Sequence, residues 1–358
     1  MRPVNDLLNV FDYERRAAEL LPAGPLGYFS AGAGDEWTLR ENVNAYRRWT
    51  LRPRLLRDVE HVTTKRTVLG HELAAPIIVA PMAYQRHAHP DGEIATARAA
   101  AAFGTIMTMS TMATASPAEV AAAAPDAPRW FQLYVFRDDS VTRSIVDQAV
   151  EAGFRAIVLT IDAPYFGRRE RDLRTGWLIP DEPAVPALEA ALGSMRATSV
   201  SEHFKLISPS ISWKEVERLS SETRLPVLVK GVHTAEDALL AVEHGAAGII
   251  VSNHGGRQLD GVAASVDVLP EVVEAVADRV EVLVDGGIRR GVDVMVALAL
   301  GASAVLVGRP VLWGLAVDGA DGAERVLDLL RVELELALGL CGCCSPDEVT
   351  RAHVARAV

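Results

Sequence analysis

Short apolar runs recur along the chain, and each is followed by a segment with helical periodicity. Eight of these runs are rich in β-branched residues, and they occupy residues 77–80, 105–108, 130–134, 156–161, 227–230, 248–252, 282–285 and 304–307. Strands buried on both faces of a parallel sheet are apolar throughout rather than alternating with polar positions. The pattern therefore predicts eight parallel strands, with helices between them over residues such as 93–102, 234–244 and 292–300.

Eight strands that alternate with helices favour an α/β fold, a closed TIM (β/α)8 barrel. An open doubly wound sheet is the alternative, but the G-x-G-x-x-G motif that would favour it is missing after the first strand. We predict a single barrel domain over residues 1–358. Residues 1–75 would form an N-terminal cap, helical over 5–50, and a lead-in to the barrel.

A long insert separates the fourth and fifth predicted strands. Residues 163–215 far exceed a normal connection from strand to helix, and they contain Pro180, Pro183, Pro186 and Pro209. Loops at this end of a barrel strand carry function, so the insert is a candidate active-site loop after strand 4. Its segment 181–208 lacks the long apolar, basic stretch of a membrane-anchoring loop.

Composition excludes several classes of function. The 358 residues are 49% hydrophobic and carry a net charge of −11, and an acidic surface does not attract nucleic acid. No run of 18 apolar residues and no secretory signal are present, so we expect a cytoplasmic protein without a membrane partner. All three cysteines cluster at Cys341, Cys343 and Cys344, where a structural role is more typical than a metal site.

Glycines and arginines follow the last two predicted strands. Residues 285–291 read DGGIRRG and residues 308–310 read GRP. Glycine lets backbone N–H groups approach a phosphate closely, and arginine adds a bidentate, charge-assisted contact. Tight turns and a surface arginine would explain either motif alone, but the loops after strands seven and eight are the usual phosphate site of such barrels. Together the two motifs predict a phosphorylated ligand.

Four charged or titratable residues follow other strands at the same end of the barrel. Lys230 suits either a Schiff-base nucleophile or a fixed positive charge beside a ligand that gains electrons. His254 suits a general base, although a structural histidine would fit this residue taken alone. Arg257 and Arg169 offer planar forks for a carboxylate. These residues predict a site for a small carboxylate that bears a removable proton.

Residues 252–260, SNHGGRQLD, closely resemble the signature of the FMN-dependent 2-hydroxy-acid oxidase and dehydrogenase family. That family includes glycolate oxidase, lactate oxidase, mandelate dehydrogenase and hydroxymandelate oxidase. Independent motifs agree with it at residues 28–37, 89–93, 131–134, 167–170, 229–231 and 285–291. The resemblance runs from about residue 28 to residue 346. Agreement of several motifs is far more specific than one motif.

The resemblance implies FMN as the cofactor and assigns the site residue by residue. His254 would be the catalytic base, oriented by Asp162, and Lys230 would stabilise negative charge on the reduced flavin. The substrate would be bound by Tyr28, Tyr134, Arg169, Arg257 and Met112, with Tyr134 also assisting catalysis. FMN would be bound by Pro81, Met82, Ala83, Ser110, Gln132, Thr160, Lys230, Ser252, Asp285, Gly287, Arg289, Gly308 and Arg309. The family commonly forms tetramers or octamers, so a homo-oligomer is expected.

The implied reaction is the oxidation of small (S)-2-hydroxy acids to 2-oxo acids, with O2 as the acceptor and H2O2 as the second product. One alternative is a dehydrogenase that passes electrons to a quinone or a carrier protein. Another is a flavin-dependent isopentenyl-diphosphate isomerase, against which the carboxylate-binding arginines argue. A phosphate-binding barrel without catalysis would require the base, the lysine and the arginines all to be incidental.

Three features favour medium or aryl substrates, similar to mandelate, over glycolate. Met112 stands where glycolate oxidases carry a larger tryptophan, which would reshape the pocket. Tyr165 and Phe166 precede Gly167 and are expected to line the pocket with aromatic surface. Residues 83–86, AYQR, are similar to those of hydroxymandelate oxidases.

Overall fold

Eight parallel strands close into a barrel in the computed structural model, which describes residues 6–177, 184–193 and 200–357. Three short strands come first in the chain, namely β1 (Trp49–Leu51), β2 (Arg66–Val68) and β3 (His71–Leu73). The barrel follows as β4 (Ile77–Val79), β5 (Met107–Ser110), β6 (Arg129–Leu133), β7 (Ala156–Thr160), β8 (Val227–Val232), β9 (Gly248–Val251), β10 (Glu281–Asp285) and β11 (Ala304–Val307). β11 pairs with β4 to complete the ring, and the predicted barrel is thus confirmed.

The second barrel strand begins two residues later than predicted. The predicted run covers residues 105–108, but β5 starts at Met107, which pairs with Val79 of β4. Thr105 lies in the turn before the strand, and its hydroxyl donates to the Ile77 carbonyl at 2.6 Å. An apolar run marks a buried segment but does not carry the pairing register, so its edges are poorly determined by sequence.

Helices surround the barrel and cap its ends. They are α1 (Val10–Leu20), α2 (Ala23–Ser30), α3 (Trp37–Asn44), α4 (Gly92–Phe103), α5 (Pro117–Ala123), α6 (Asp139–Glu151), α7 (Glu170–Thr175), α8 (Pro186–Leu192), α9 (Val200–Lys205), α10 (Lys214–Thr223), α11 (Ala235–Glu243), α12 (Ser265–Val276), α13 (Gly291–Ala299) and α14 (Arg309–Leu340). α14 is broken at Asp318 and Gly319, whose backbone angles are not helical. None of the helices in the described part of the chain combines the length and the apolar character that a membrane crossing requires.

The N-terminal segment packs against several later parts of the chain. α1 packs against α14, α2 packs against α7, and α3 packs against a short turn that follows β9. β1 pairs antiparallel with β12 (Val354–Arg356) at the C-terminus. The segment was predicted to be helical over residues 5–50, and it contains three separate α-helices and a 3-10 helix (Ala45–Arg48). The apolar pattern missed the three short strands β1, β2 and β3 that precede the barrel.

The insert after the fourth barrel strand contains helices α7, α8 and α9 within 163–215. Pro180 and Pro183, which helped to predict it, lie outside the described residues. The insert returns to the barrel at Ile207, which forms a β-bridge with Phe136 just beyond β6. α9 is therefore held close to the C-terminal ends of the strands.

The hairpin of β2 and β3 closes the opposite end of the barrel. Val68 and Leu73 are buried in one cluster with the side chains that fill the barrel interior, among them Trp130 of β6 and Ala156 of β7. Both of those residues lie near the start of their strands. The N-terminal end of the barrel is thus filled by apolar side chains, which leaves the C-terminal end for a site.

Replacing Leu73 with alanine should lower the free energy of unfolding by about 2–5 kcal/mol, because the leucine is 1% exposed and leaves a cavity beneath the barrel. Equilibrium denaturation measures the change. Leu55→Ala is the matched control, since Leu55 is 80% exposed and its loss should change stability by less than about 0.5 kcal/mol. Equal effects of the two substitutions would show that the hairpin does not close the barrel.

Candidate active site

A cleft opens at the C-terminal end of the barrel. Its walls include residues from every barrel strand or from the loop that follows it, together with α2 and α9. Of the residues predicted for the site, those that line the cleft are Tyr28, Pro81, Met82, Ala83, Ser110, Met112, Gln132, Tyr134, Thr160, Arg169, Lys230, His254, Arg257, Asp285, Gly287, Arg289, Gly308 and Arg309. The other two, Asp162 and Ser252, each bond to a residue that lines it.

A strained turn after β9 presents His254. The residue has a φ of 57°, in the left-handed region that residues other than glycine rarely adopt. Gly255 and Gly256 follow with φ of 62° and 74°. A Cβ on Gly256 would lie 2.6 Å from the Leu39 backbone nitrogen of α3, so only glycine fits there. The His254 amide also donates to Ser252 Oγ at 3.0 Å. Packing against α3 thus holds a backbone conformation that would otherwise be unfavourable.

His254 Nδ1 lies 2.9 Å from Asp162 Oδ1, which leaves Nε2 as the ring nitrogen not bonded to this carboxylate. Burial would raise the pKa of Asp162, but the charges of His254 and Lys230 and the bond from His254 outweigh it and lower the pKa. Burial lowers the pKa of His254 below its ordinary value, although Asp162 opposes that shift. At neutral pH the pair is therefore a carboxylate that orients a neutral imidazole, which is the form that accepts a proton.

Lys230 lies between Ser252 and Asp285. Its Nζ donates to Ser252 Oγ at 2.8 Å and forms a buried ion pair with Asp285 Oδ2 at 3.2 Å. Burial would lower the pKa of Lys230, but the charges of Asp285 and Asp162 raise it above its ordinary value. Of the two roles considered for Lys230, a permanent positive charge is favoured, because a Schiff-base lysine must be neutral to attack.

Arg169 and Arg257 stand together against the Tyr28 ring. The guanidinium carbon of Arg257 lies 4.9 Å from the ring centroid and that of Arg169 lies 5.8 Å from it. Arg257 Nη1 donates to the Tyr28 carbonyl at 2.7 Å, whereas Arg169 Nη1 is buried 4.0 Å from Asp172 Oδ2 and has no hydrogen-bond partner among the described residues. Burial and the charge of Arg257 lower the pKa of Arg169 to about 10, so it stays charged at neutral pH. A substrate carboxylate would supply the hydrogen-bond partner that this buried guanidinium nitrogen needs.

The far end of the cleft is rich in positive charge and backbone donors. Gly308 precedes the first residue of α14, whose N-terminus favours an anion. Arg289 Nε is buried and has no partner among the described residues. Arg309 donates to the carbonyls of Phe29, Gly255 and Ala31, so its side chain braces the walls of the cleft instead of extending freely into it. Burial, together with the charges of Arg257 and Arg289, lowers the pKa of Arg309. Such a concentration of positive charge fits a phosphate.

The middle of the cleft holds buried polar atoms that no described residue satisfies. They include Gln132 Nε2, Thr160 Oγ1 and Asp285 Oδ1. Ser110 Oγ donates to Gln132 Oε1 at 3.2 Å, which orients the amide so that its nitrogen is the unsatisfied atom. Buried donors and acceptors without partners are rare in folded proteins and call for a bound group. Gln132, Thr160 and Asp285 offer partners for ring amides and for a hydroxylated chain, and the arginines and the α14 N-terminus offer partners for a phosphate, so the residues fit FMN.

Comparison with known proteins agrees with this geometry. The family model described as FMN-dependent dehydrogenase matches residues 17–356. The chain belongs to the FMN-dependent dehydrogenase family. It is an enzyme with FMN as its cofactor, and the resemblance seen in the sequence is thereby confirmed. When bound, FMN accepts the electrons that the substrate loses.

Relatives of this FMN-dependent dehydrogenase match along nearly its whole length. Glycolate oxidase 3 of Arabidopsis thaliana is 50% identical over 354 residues, which cover 98% of this chain and 96% of that protein. Glycolate oxidase of Spinacia oleracea is 49% identical over 355 residues, with the same coverage. A solved structure of mandelate oxidase with (S)-4-hydroxymandelic acid is 44% identical, with a TM-score of 0.92 over 98% of this chain and 99% of that one.

The aromatic lining of the cleft differs from the prediction. Tyr165 was expected to line it, but the side chain is 78% exposed and is not part of the cleft wall. Phe166 instead packs against Arg169, and its ring lies 4.7 Å from that of Phe204. Phe204 of α9 lines the cleft and was missed. The only sequence signal for it was the length of the insert, since six helical residues show no clear periodicity.

Proposed function

We propose that this enzyme oxidises (S)-2-hydroxy acids to 2-oxo acids, transfers the electrons from FMN to O2 with release of H2O2, and prefers medium or aryl substrates. The oxidation removes two electrons and two protons from the carbon and hydroxyl of the substrate. One observation carries the proposal: the neutral, Asp162-bonded His254 lines the same cleft as the buried cation Arg169 and the half-buried cation Arg257. A base beside a carboxylate-binding pair is what the reaction requires.

The roles of the surrounding residues follow from their positions. Arg169 and Arg257 bind the substrate carboxylate. Tyr28 and Tyr134 line the same cleft. Burial raises the pKa of Tyr134, so its hydroxyl stays protonated and donates a hydrogen bond. His254 Nε2 takes a proton from the substrate, and Asp162 stabilises the imidazolium that results. Lys230 keeps a positive charge next to the FMN-binding residues, where negative charge develops during reduction.

The preference for aryl acids is supported by the pocket wall. Tyr134 and Phe204 have ring centroids 5.6 Å apart, and both line the cleft with Met112. Such a wall stabilises an apolar or aryl side chain of the substrate through burial. The solved mandelate oxidase supports the same substrate class, whereas the two relatives named above are glycolate oxidases. Direct comparison of substrates must therefore decide the preference.

The test uses purified, FMN-loaded protein under anaerobic conditions. We expect (S)-mandelate to bleach the flavin absorbance bands faster than glycolate at equal concentration, and (R)-mandelate to leave them unchanged. Faster bleaching by glycolate would contradict the aryl preference, and no bleaching by any 2-hydroxy acid would contradict the reaction. Admission of air then measures reoxidation. Rapid return of colour with H2O2 supports O2 as the acceptor, whereas slow return that a quinone accelerates indicates a dehydrogenase.

Asp162→Asn should move the acid limb of the pH profile to lower pH. The rate of flavin reduction falls as the pH drops through the pKa of His254, which burial holds below its ordinary value and Asp162 raises. Removing that negative charge lowers the pKa of His254 further, and the loss of orientation reduces the plateau rate by at least about tenfold. Anaerobic stopped-flow measurements across pH 4–8 record both effects.

Glu217→Gln is the matched control for that substitution. Glu217 bonds to His244 at 2.7 Å on the outer surface of the barrel, so the same acid-to-amide change should leave the pH profile unaltered. An acid limb that moves to higher pH in Asp162→Asn would contradict the proposed pair.

The cytoplasmic location and the assembly of four or eight chains stay predictions, and sedimentation would measure the assembly.

A further inference from the structure

Tyr84 and His203 form a buried link between the barrel and the insert. Tyr84 Oη lies 2.8 Å from His203 Nδ1, and the two rings stack with their planes 19° apart. Tyr84 follows the first barrel strand, and His203 lies in α9, immediately before Phe204. α9, which carries Phe204 of the cleft wall, is therefore attached through a side-chain bond within the helix, while Arg137 bonds only to the backbone at its C-terminal end.

Tyr84 also contacts the other parts of the substrate end of the cleft. Its amide donates to the Met112 carbonyl at 3.0 Å, and its ring packs edge-on against Tyr28 with centroids 5.6 Å apart. Its side chain is fully buried, and its φ of 58° is unfavourable for a residue with a Cβ. A strained backbone is kept only where its surroundings over-determine it, and such positions cluster at functional sites.

His203 is suited to hold this bond at physiological pH. Burial lowers the pKa of His203 to about 4, so the ring is neutral. One hydrogen bond then joins its Nδ1 to the Tyr84 hydroxyl. Burial also raises the pKa of Tyr84, so the hydroxyl keeps its proton. A neutral hydrogen bond between buried partners is costly to break, because each partner would be left unsatisfied.

We propose that Tyr84 and His203 are positioning residues for substrate selection, which hold α9 so that Phe204 forms the wall against the substrate side chain. The proposal rests on the oxidation of 2-hydroxy acids proposed above and names the determinant of its specificity. A short acid does not extend to Phe204, so only substrates with larger side chains depend on the pair. The pair does not touch the reacting atoms, and the chemistry at His254 should be unaffected by its loss.

The first test is binding of 2-oxo acids to the oxidised, FMN-loaded protein, followed by changes in the flavin spectrum. Tyr84→Phe removes only the hydroxyl and should raise the Kd of benzoylformate about five- to tenfold, while the Kd of glyoxylate changes by less than about twofold. His203→Leu should reproduce this effect, and His203→Asn, which keeps a hydrogen-bonding group near Nδ1, should reduce it. Tyr13→Phe is the matched control, since Tyr13 is buried in α1 and its hydroxyl has no hydrogen-bond partner in the described part of the chain.

A second variant separates positioning from general stability. Phe204→Ala should weaken benzoylformate binding by itself, and adding Tyr84→Phe should have little further effect, because both substitutions remove the same wall. Fully additive effects would overturn the proposal, and so would equal weakening of benzoylformate and glyoxylate binding in Tyr84→Phe.

Hydrogen exchange provides a readout that does not depend on any ligand. The amides of α9 should exchange faster in Tyr84→Phe than in the wild-type protein, while the barrel strands keep their protection. Unchanged exchange in α9 would overturn the proposal. A wild-type protein that binds neither 2-oxo acid would contradict the proposed function, whereas faster exchange in α9 would still show that the pair holds the helix.

Discussion

Replacing His254 with asparagine should slow the anaerobic reduction of the flavin by (S)-mandelate by about 10²–10⁴-fold. Asparagine keeps the polarity of the site and tolerates the left-handed backbone angle of this position, where φ is 57°. It cannot accept the substrate proton as an imidazole does, so the loss isolates the base. Stopped-flow measurement of the bleaching rate at saturating substrate gives the effect directly.

FMN should remain bound in that variant, because the lining residues that fit FMN do not depend on the imidazole. His244→Asn is the matched control: His244 bonds to Glu217 at 2.7 Å in a histidine–carboxylate pair outside the cleft. Its substitution should leave the reduction rate within about twofold of wild type, as is usual away from the reacting groups. A loss smaller than tenfold in His254→Asn would rule out His254 as the base.

Gly287→Ala should yield a protein that is strongly destabilised and purifies without its yellow colour. A Cβ on Gly287 would lie 1.8 Å from the backbone oxygen of Asn42, at the point where the loop after β10 crosses α3. Neither backbone can retreat without moving the predicted phosphate-binding loop. The left-handed φ of 85° costs about 1–2 kcal/mol for alanine, and overpacking adds about 1–3 kcal/mol more.

Gly245→Ala separates these two costs. Gly245 has a similar φ of 81°, but no atom of residues 6–177, 184–193 or 200–357 outside its immediate chain neighbours lies within 4 Å of the position that its Cβ would occupy. The control should therefore lose only the conformational part of the stability and keep its FMN. Thermal unfolding and the flavin absorbance of the purified proteins measure both properties. Equal effects of the two substitutions would show that the close approach to Asn42 does not matter.

The contrast between these glycines shows the limit of reading the chain alone. Gly287 belongs to a motif that predicts a phosphate site, and Gly245 belongs to none, yet both adopt left-handed backbone angles. The sequence shows that a glycine is present but not what approaches it. Only the packing of α3 across the barrel mouth, more than 200 residues away in sequence, makes one glycine essential and leaves the other replaceable.

The residue types at the strand ends were informative because barrel closure brings those ends together. Eight apolar runs, each followed by polar residues, were sufficient to predict the barrel and to place His254, Lys230, Arg169 and Arg257 at one mouth. The contact between His254 and Asp162, which the family resemblance implied, is present at 2.9 Å. These predictions succeeded because local periodicity and residue chemistry are properties of the chain itself.

Other features were decided by the tertiary structure. All three side-chain nitrogens of Arg309 donate to backbone carbonyls, which no residue pattern indicates. Tyr165 points outward and Phe204 lines the cleft, because the path of the insert and not its composition sets which aromatic side chain faces the substrate. The strand pattern determined the fold and the location of the site. Long-range packing decided which hydrogen bonds form and which side chains wall the pocket, because those depend on backbone positions that no local segment encodes.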